Sequence, residues 1–222
     1  MNAVQTSLLL DPDFPQLLAE LNTAWNDEQQ RRRIFREELM PEMKAEFIDG
    51  QVIMHSPAMA RHILATKHLA VLLNTHVVEH DLGMVTIEKA LICLTRNDFE
   101  PDIAFFKGFR AANIQPTLME FPAPDFVVEI LSPGTEAVDR GIKMHDYAKH
   151  GIGEYWLVDC KNQLIERYLL KPGTGVYELS AKHECGTEVA SSVIEGFRIP
   201  VAAIFDEKAQ HEALRSMLSR SA

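Results

Sequence analysis

A single acidic residue inside an otherwise apolar run constrains this chain most. In Phe126-Val127-Val128-Glu129-Ile130-Leu131, strand alternation sends Phe126, Val128 and Ile130 to one face and Val127, Glu129 and Leu131 to the other. Both faces are apolar apart from Glu129, the pattern of a central strand covered on both sides. A carboxylate there is costly to bury unless it is paired, protonated or bound to a cation. Glu129 therefore needs a partner, and the fold has to supply one.

The run Glu100-Pro101-Asp102-Ile103-Ala104-Phe105-Phe106 repeats the situation. Asp102 opens an apolar strand, and Pro101, which has no N–H, suits a strand entrance. Two carboxylates converging at one end of a sheet offer oxygen ligands to a hard divalent cation. Mg²⁺ keeps several waters in such a site, leaving room for a phosphate oxygen and an attacking water. The alternative is a pair of strand-end acids touching solvent.

The remaining pattern indicates a mixed α/β sheet flanked by helices. Residues 1–43 form an N-terminal helical extension, with one helix from Asp13 or Pro15 through Leu21, a second, polar one from Asn26, and an interruption at Pro41. Residues 44–206 form the main domain, and 207–222 a C-terminal helix or tail. Asp49-Gly50 between two apolar runs signals a hairpin. Ala65, Leu69, Leu72 and Leu73 make the apolar stripe of a helix that follows Ser56-Pro57 and is capped by Gly83. Strands are expected at Met84–Leu94, Pro101–Phe106 and Phe126–Leu131. A helix then runs from Gly134 to His150, closed by Gly151. Further strands follow at Tyr155–Asp159, Leu164–Leu170 and Val176–Leu179, then a short apolar run at Val189–Pro200 and a last helix.

Several of these segments together resemble a known family. Pro101-Asp102, Val128-Glu129-Ile130-Leu131-Ser132-Pro133, Asp139-Arg140-x-x-Lys143-x-x-x-Tyr147 and Gly151-x-x-Glu154-Tyr155-Trp156-Leu157-Val158-Asp159 resemble the Uma-type restriction endonucleases of the PD-(D/E)XK nuclease superfamily. Glu46-Phe47-Ile48-Asp49-Gly50 is similar to the family's E-L-I-D-G element, and Gly196–Pro200 more loosely to its closing segment. The resemblance runs from about Glu46 to Phe205. It implies a restriction-endonuclease-like nuclease domain and dependence on Mg²⁺, with Mn²⁺ an alternative. It also implies hydrolysis of phosphodiester bonds, in DNA first of all, by in-line attack of a metal-activated water.

Carried over residue by residue, the resemblance makes Asp102, Glu129 and Ile130 the metal positions. Asp102, Glu129, Lys143 and Glu46 become the catalytic set. The superfamily's usual lysine lies two positions after the acid, where this chain has Leu131. The resemblance moves it to Lys143 on the next helix, to orient the water or offset charge in the transition state. Spacing alone gives another account of Lys143, as a surface pair with Asp139 four residues earlier, and puts Arg140 and Tyr147 on its face. Glu46 is either a third acid of the site or a hairpin-start acid.

The net charge of −10 repels polyanions at long range, so a nuclease of this sign needs a local basic patch. Arg31-Arg32-Arg33 with Arg36 is the candidate. The alternative is a solvated helix face balanced by Glu28, Glu37 and Glu38. Cys93, Cys160 and Cys185 lack C-x-x-C spacing and are expected as small buried hydrophobes in a reducing compartment. No run approaches the roughly 20 apolar residues of a spanning helix and no secretory signal is evident, so a cytoplasmic protein is expected. His62, on the inward stripe of its helix, is a core histidine or a phosphate contact. Ser132 is a turn or N-cap residue, and Tyr155 and Trp156 belong to the core. A homodimer follows by analogy with superfamily members that cut both strands. The rival readings are a non-catalytic regulatory protein that keeps the nuclease fold, which the acidic charge favours, and a phosphodiesterase for a small substrate.

Overall fold

A computed structural model describes residues 3–40 and 43–220, so the interruption expected at Pro41 lies outside the described residues. A short helix α1 (Ala3–Leu9) precedes α2 (Phe14–Glu38). The two helices expected before residue 40 are thus one. Helix α2 contains no glycine, and its only proline, Pro15, sits in the first turn, where a missing N–H costs nothing.

Two buried or half-buried arginines lock α2 to the sheet behind it. Arg32 binds both oxygens of Asp98, at 2.9 and 2.6 Å, and Arg36 binds the same carboxylate at 2.9 and 2.7 Å. Arg36 also reaches Glu120 at 2.7 Å. Arg33 faces Glu37 at 3.8 Å, and Arg31 reaches the Gly50 carbonyl at 3.4 Å. The arginine cluster is therefore neither a free basic patch nor a wholly solvated face. Bidentate guanidinium–carboxylate geometry makes it a clamp.

The first hairpin is β1 (Ala45–Ile48) and β2 (Gln51–Met54), joined by Asp49 and Gly50. Both turn residues have positive φ, 48° and 78°, as a two-residue type I′ turn requires. Helix α3 (Ala60–Glu79) follows. It ends before Gly83, which serves the next strand instead. With φ of 146°, Gly83 brings the backbone so close to the neighbouring strand that a Cβ would lie 2.0 Å from the Phe106 carbonyl oxygen.

The expected strand 84–94 divides into β3 (Gly83–Ile87) and β4 (Leu91–Cys93). Glu88 and Lys89, at φ of 44° and 51°, turn the chain out of one sheet and into another. Next come β5 (Asp98–Phe99), β6 (Ile103–Lys107), the short α4 (Gly108–Ala111), β7 (Glu120–Phe121) and β8 (Phe126–Ile130). The helix after β8 is α5 (Glu136–Val138), a π-helical turn at Asp139–Lys143, and α6 (Met144–Lys149). The rest is β9 (Glu154–Asp159), β10 (Leu164–Leu170), β11 (Tyr177–Glu184), β12 (Glu188–Ala190), β13 (Arg198–Pro200), α7 (Ala202–Phe205) and α8 (Glu207–Arg220).

The main sheet is mixed, in the order β11-β10-β9-β8-β6-β3, with β8 and β9 its parallel pair. A second sheet runs β2-β1-β5-β4-β7, and β12 pairs with β13 in a small ribbon. The strands are thus shared among several sheets where the sequence indicated one. The reason is the left-handed turn at Glu88–Lys89, which diverts β4.

Helices α3, α7 and α8 cover one face of the main sheet. There Ala65, Leu69, Leu72 and Leu73 join one core cluster with Phe126, Val128, Ile130 and Trp156. On the other face Val127, Tyr155 and Leu157 cluster with Tyr147, Phe99 and Ile92. Strand β8 is covered on both sides, so Glu129 projects into an interior layer. Helix α8 contributes Ala213, Leu214 and Met217 to the first cluster, so it is docked on the core and not a free tail.

Candidate functional site

Four side chains singled out from the sequence, Glu46, Asp102, Glu129 and Lys143, line one cavity of about 630 Å³. Strand pairing brings the first two acids of interest together. β6 runs antiparallel to β8 with Ile103 opposite Val128, so Asp102 and Glu129 occupy the next step of the ladder. Asp102 Oδ2 accepts the Ile130 N–H at 2.8 Å. Ile130 therefore holds Asp102 through its main-chain nitrogen. Its buried aliphatic side chain has no donor atom, so only its carbonyl could serve a metal.

Lys143 is 2% exposed, and its Nζ lies 3.0 Å from Glu129 Oε1, 2.9 Å from Glu46 Oε1 and 3.3 Å from Asp139 Oδ1. Tyr147 donates its hydroxyl hydrogen to Glu129 Oε1 at 3.0 Å. The pairing of Asp139 with Lys143 expected from their spacing exists, but it is buried and not at the surface. Arg140 does not share their face. It turns to Glu136 and Glu166 at 2.8 and 2.6 Å, because in a π-helical turn positions three apart no longer stack. The connection before this helix is a tight one in which the Ser132 carbonyl accepts the N–H groups of Thr135 and Glu136. Ser132 Oγ bonds Thr135 Oγ1 at 2.9 Å. Ser132 is a turn residue, as its context indicated.

The electrostatics follow from one ammonium among three carboxylates. Burial alone would drive the proton off Lys143, but Glu129, Glu46 and Asp139 hold it well above the ordinary lysine range. Burial tends to raise Glu46 too, yet Lys143 and His55 hold its carboxyl down at about 2. Glu129 goes the other way. Full burial, with the negative charges of Asp139, Asp102 and Glu46 nearby, outweighs Lys143 and raises it well above the usual carboxylate range. Asp102 resists its own burial through His62, Lys44 and the Ile130 N–H, and sits at about 2.

Three further polar residues line the cavity. His62 is hydrogen-bonded, in keeping with one of its two expected readings, but it faces the cavity, its Nε2 3.1 Å from Asp102 Oδ1. Lys44 Nζ approaches the same oxygen at 3.3 Å. Glu100 is 3% exposed, its Oε2 has no hydrogen-bond partner among the described residues, and burial with the Glu46 charge lifts it to about 7. The signal for Glu100 was present in the sequence, as a second acid beside Pro101 in an apolar stretch. Glu88 completes the picture. One ligand atom each from His62, Glu88 and Asp102 lies within 4.8 Å of the other two. Tyr155 and Trp156 are core residues, as expected. Cys93 and Cys160 are partly buried, but Cys185 is exposed, at variance with the buried position expected for all three.

The model of the Uma2 family, described as "Putative restriction endonuclease", matches residues 34–202. The chain belongs to the Uma2 family. The "Uncharacterized protein slr1290" of Synechocystis sp. (strain ATCC 27184 / PCC 6803 / Kazusa) is 28% identical over 157 residues, covering 70% of this chain and 75% of that protein. A crystal structure from Anabaena variabilis ATCC 29413, described as a "putative nuclease belonging to DUF820", superposes with a TM-score of 0.66. It is 20% identical and covers 77% of this chain and 94% of that one. At that identity the likeness concerns the fold alone, which is that of a mixed sheet flanked by helices. The Uma2 match starts inside α2 and ends at α7. It includes Glu46, Asp102, Glu129 and Lys143 and leaves out α1, most of α2 and α8.

Proposed function

We propose that this Uma2 protein is a metal-dependent endonuclease that hydrolyses phosphodiester bonds of DNA, with residues 44–206 as its nuclease unit. The observation that carries this reading is Lys143. A buried ammonium lies within 3.0 Å of both Glu129 and Glu46, and all three border the cavity that Asp102 enters. A lysine paired for stability alone has no need of a cavity beside it.

The residues fit a divalent cation. Both contacts of Glu129 with Lys143 and Tyr147 fall on Oε1, which leaves Oε2 to serve as a ligand atom in the cavity that Asp102 also lines. The Ile130 carbonyl is a third candidate. Glu100 Oε2 is a buried acceptor without a hydrogen-bond donor among the described residues, a group that a nearby positive charge would relieve. An oxygen set of this kind suits Mg²⁺ or Mn²⁺. When bound, such an ion polarises a phosphoryl oxygen and acidifies a water.

The chain's own residues supply the positioning. The Ile130 N–H fixes one oxygen of Asp102 so that the other faces the cavity. Tyr147 and Lys143 orient Glu129. Lys143 keeps its proton and offsets the charge that grows on the phosphate as the bond breaks. Glu46, itself held by the Glu100 N–H at 2.8 Å, keeps that ammonium in place.

A homodimer is supported by β2, an edge strand whose four residues are all exposed, Val52, Ile53 and Met54 among them. Such an edge is a template for a second copy. A reducing, cytoplasmic setting is supported by three free cysteines. The test is incubation of supercoiled plasmid and single-stranded DNA with Mg²⁺ or Mn²⁺. Wild type should nick or linearise the plasmid, and Asp102→Asn, Glu129→Gln and Lys143→Met should each reduce the rate by roughly 10²-fold or more. Cleavage that survives Asp102→Asn would refute the assignment. A protein that binds the ion but cuts neither substrate would favour a regulatory role. That rival draws on the net charge of −10 and on Arg32 and Arg36 being committed to Asp98.

A further inference from the structure

We propose that His62, Glu88 and Asp102 form a second cation position, one with a nitrogen ligand, suited to a first-row transition ion such as Mn²⁺ over Mg²⁺. It rests on the nuclease reading only in sharing Asp102 with the Asp102–Glu129 pair.

Three separate elements deliver the donors. His62 comes from the first turn of α3, Glu88 from the left-handed turn after β3, and Asp102 from the entrance to β6. Their ligand atoms lie within 4.8 Å of one another, and His62 Nε2 is 3.1 Å from Asp102 Oδ1. Bonds of roughly 2.0–2.2 Å to one central ion set ligand atoms about 3–4 Å apart, so the spacing needs little adjustment.

The Asp102 carboxylate is held, its Oδ2 accepting the Ile130 N–H, and the backbone that carries Glu88 is tied to the same residue, the Glu88 N–H donating to the Asp102 carbonyl at 3.1 Å. Lys44 Nζ, 3.3 Å from Asp102 Oδ1, already places a tethered positive charge at this oxygen. Independently, Glu100 lines the same cavity with a buried Oε2 that has no hydrogen-bond partner among the described residues. Glu129 is not in this set of three, so the position is distinct from the oxygen site beside it. Imidazole is a poor ligand for Mg²⁺ and a good one for transition ions, whereas the two carboxylates alone would serve either. To ligate through Nε2, His62 must carry its proton on Nδ1.

The experiment is a Mn²⁺ titration of the metal-stripped full-length protein, followed by electron paramagnetic resonance with detection of ¹⁴N hyperfine coupling. Thermal melts serve as a folding check. The proposal expects a bound, nitrogen-coupled Mn²⁺ in wild type and in Glu129→Gln. The coupling is absent in His62→Gln, and affinity falls by about 10-fold or more in both His62→Gln and Glu88→Gln. Glu88 is exposed, so its variant carries the test if His62→Gln does not fold. Bound Mn²⁺ without nitrogen coupling, unaffected by His62→Gln and lost in Glu129→Gln, overturns the proposal while leaving the nuclease reading intact. Nitrogen coupling that vanishes in Glu129→Gln merges the two positions and overturns the separate site. Failure to bind any Mn²⁺ overturns both readings.

Discussion

Lys143 and Glu129 are separated by 14 residues of chain and by 3.0 Å in space, an ammonium and a carboxylate sealed together on the inner face of the central strand. The lysine answers the need that an acid on such a strand creates. It is also shared with Glu46 and Asp139, so the charge it brings is divided three ways.

Replacing Lys143 with methionine leaves those acids without their cation. In the absence of divalent ions the variant should lose about 3–5 kcal/mol of stability, the usual cost of stranding a buried charge, read from urea denaturation in EDTA. An unchanged midpoint would mean that solvent already screens the cluster.

Much of this arrangement was legible in advance, and the illegible parts have identifiable causes. Glu129 stood out because strand alternation has a period of two and a single acid breaks it. Lys143 had no such signature. Its spacing to Asp139 favoured a surface pair, and only the family resemblance turned the reading toward the site. The π-helical turn that rotates Arg140 away is not visible in residue types. Glu88 was hidden inside what looked like one strand from 84 to 94, because two non-glycine residues at positive φ have no marker there. The role of Arg32 and Arg36 depended on Asp98, more than sixty residues away, a tertiary contact that helix periodicity cannot reveal.

Glu100 predicts a pH dependence. Its carboxyl is raised from 4.5 to about 7 in the folded chain, so the folded state binds a proton more tightly than the unfolded one. The stability this provides is complete below the unfolded value and is lost as pH rises towards 7. Between about pH 5 and about pH 7.5, metal-free wild type should lose on the order of 1–2 kcal/mol more than Glu100→Gln. Parallel pH profiles for the two proteins would rule out a buried, protonated Glu100.

Lys44 competes with any ion for Asp102. Its Nζ, 3.3 Å from Asp102 Oδ1, is a tethered cation that an incoming one must displace or repel. Lys44→Met should therefore bind Mn²⁺ several-fold more tightly than wild type, as read by the same titration. Weaker binding would show that the lysine helps to orient Asp102 and does not block it.

The clamp between α2 and the second sheet should be independent of the site. Arg32→Ala removes one of the two arginines that hold Asp98, which is fully buried, and should cost about 3 kcal/mol or more. Ion affinity below the melting transition should not change. A parallel loss of Mn²⁺ binding would mean that α2 positions the cavity as well as stabilising the fold.

The wide turn at Asp139–Lys143 carries a consequence for how this helix can change over evolutionary time. An i→i+5 turn amounts to one extra residue accommodated without unwinding the rest. It sets the phase at which Lys143 and Tyr147 arrive at Glu129 while Arg140 leaves for Glu166. Trimming a residue from it would regularise the helix and rotate everything downstream by about a quarter of a turn or more. Ideal helix geometry and this meeting of side chains are thus alternatives at this spot, and drift toward the better-formed helix would carry Lys143 and Tyr147 away from Glu129 while leaving the fold standing.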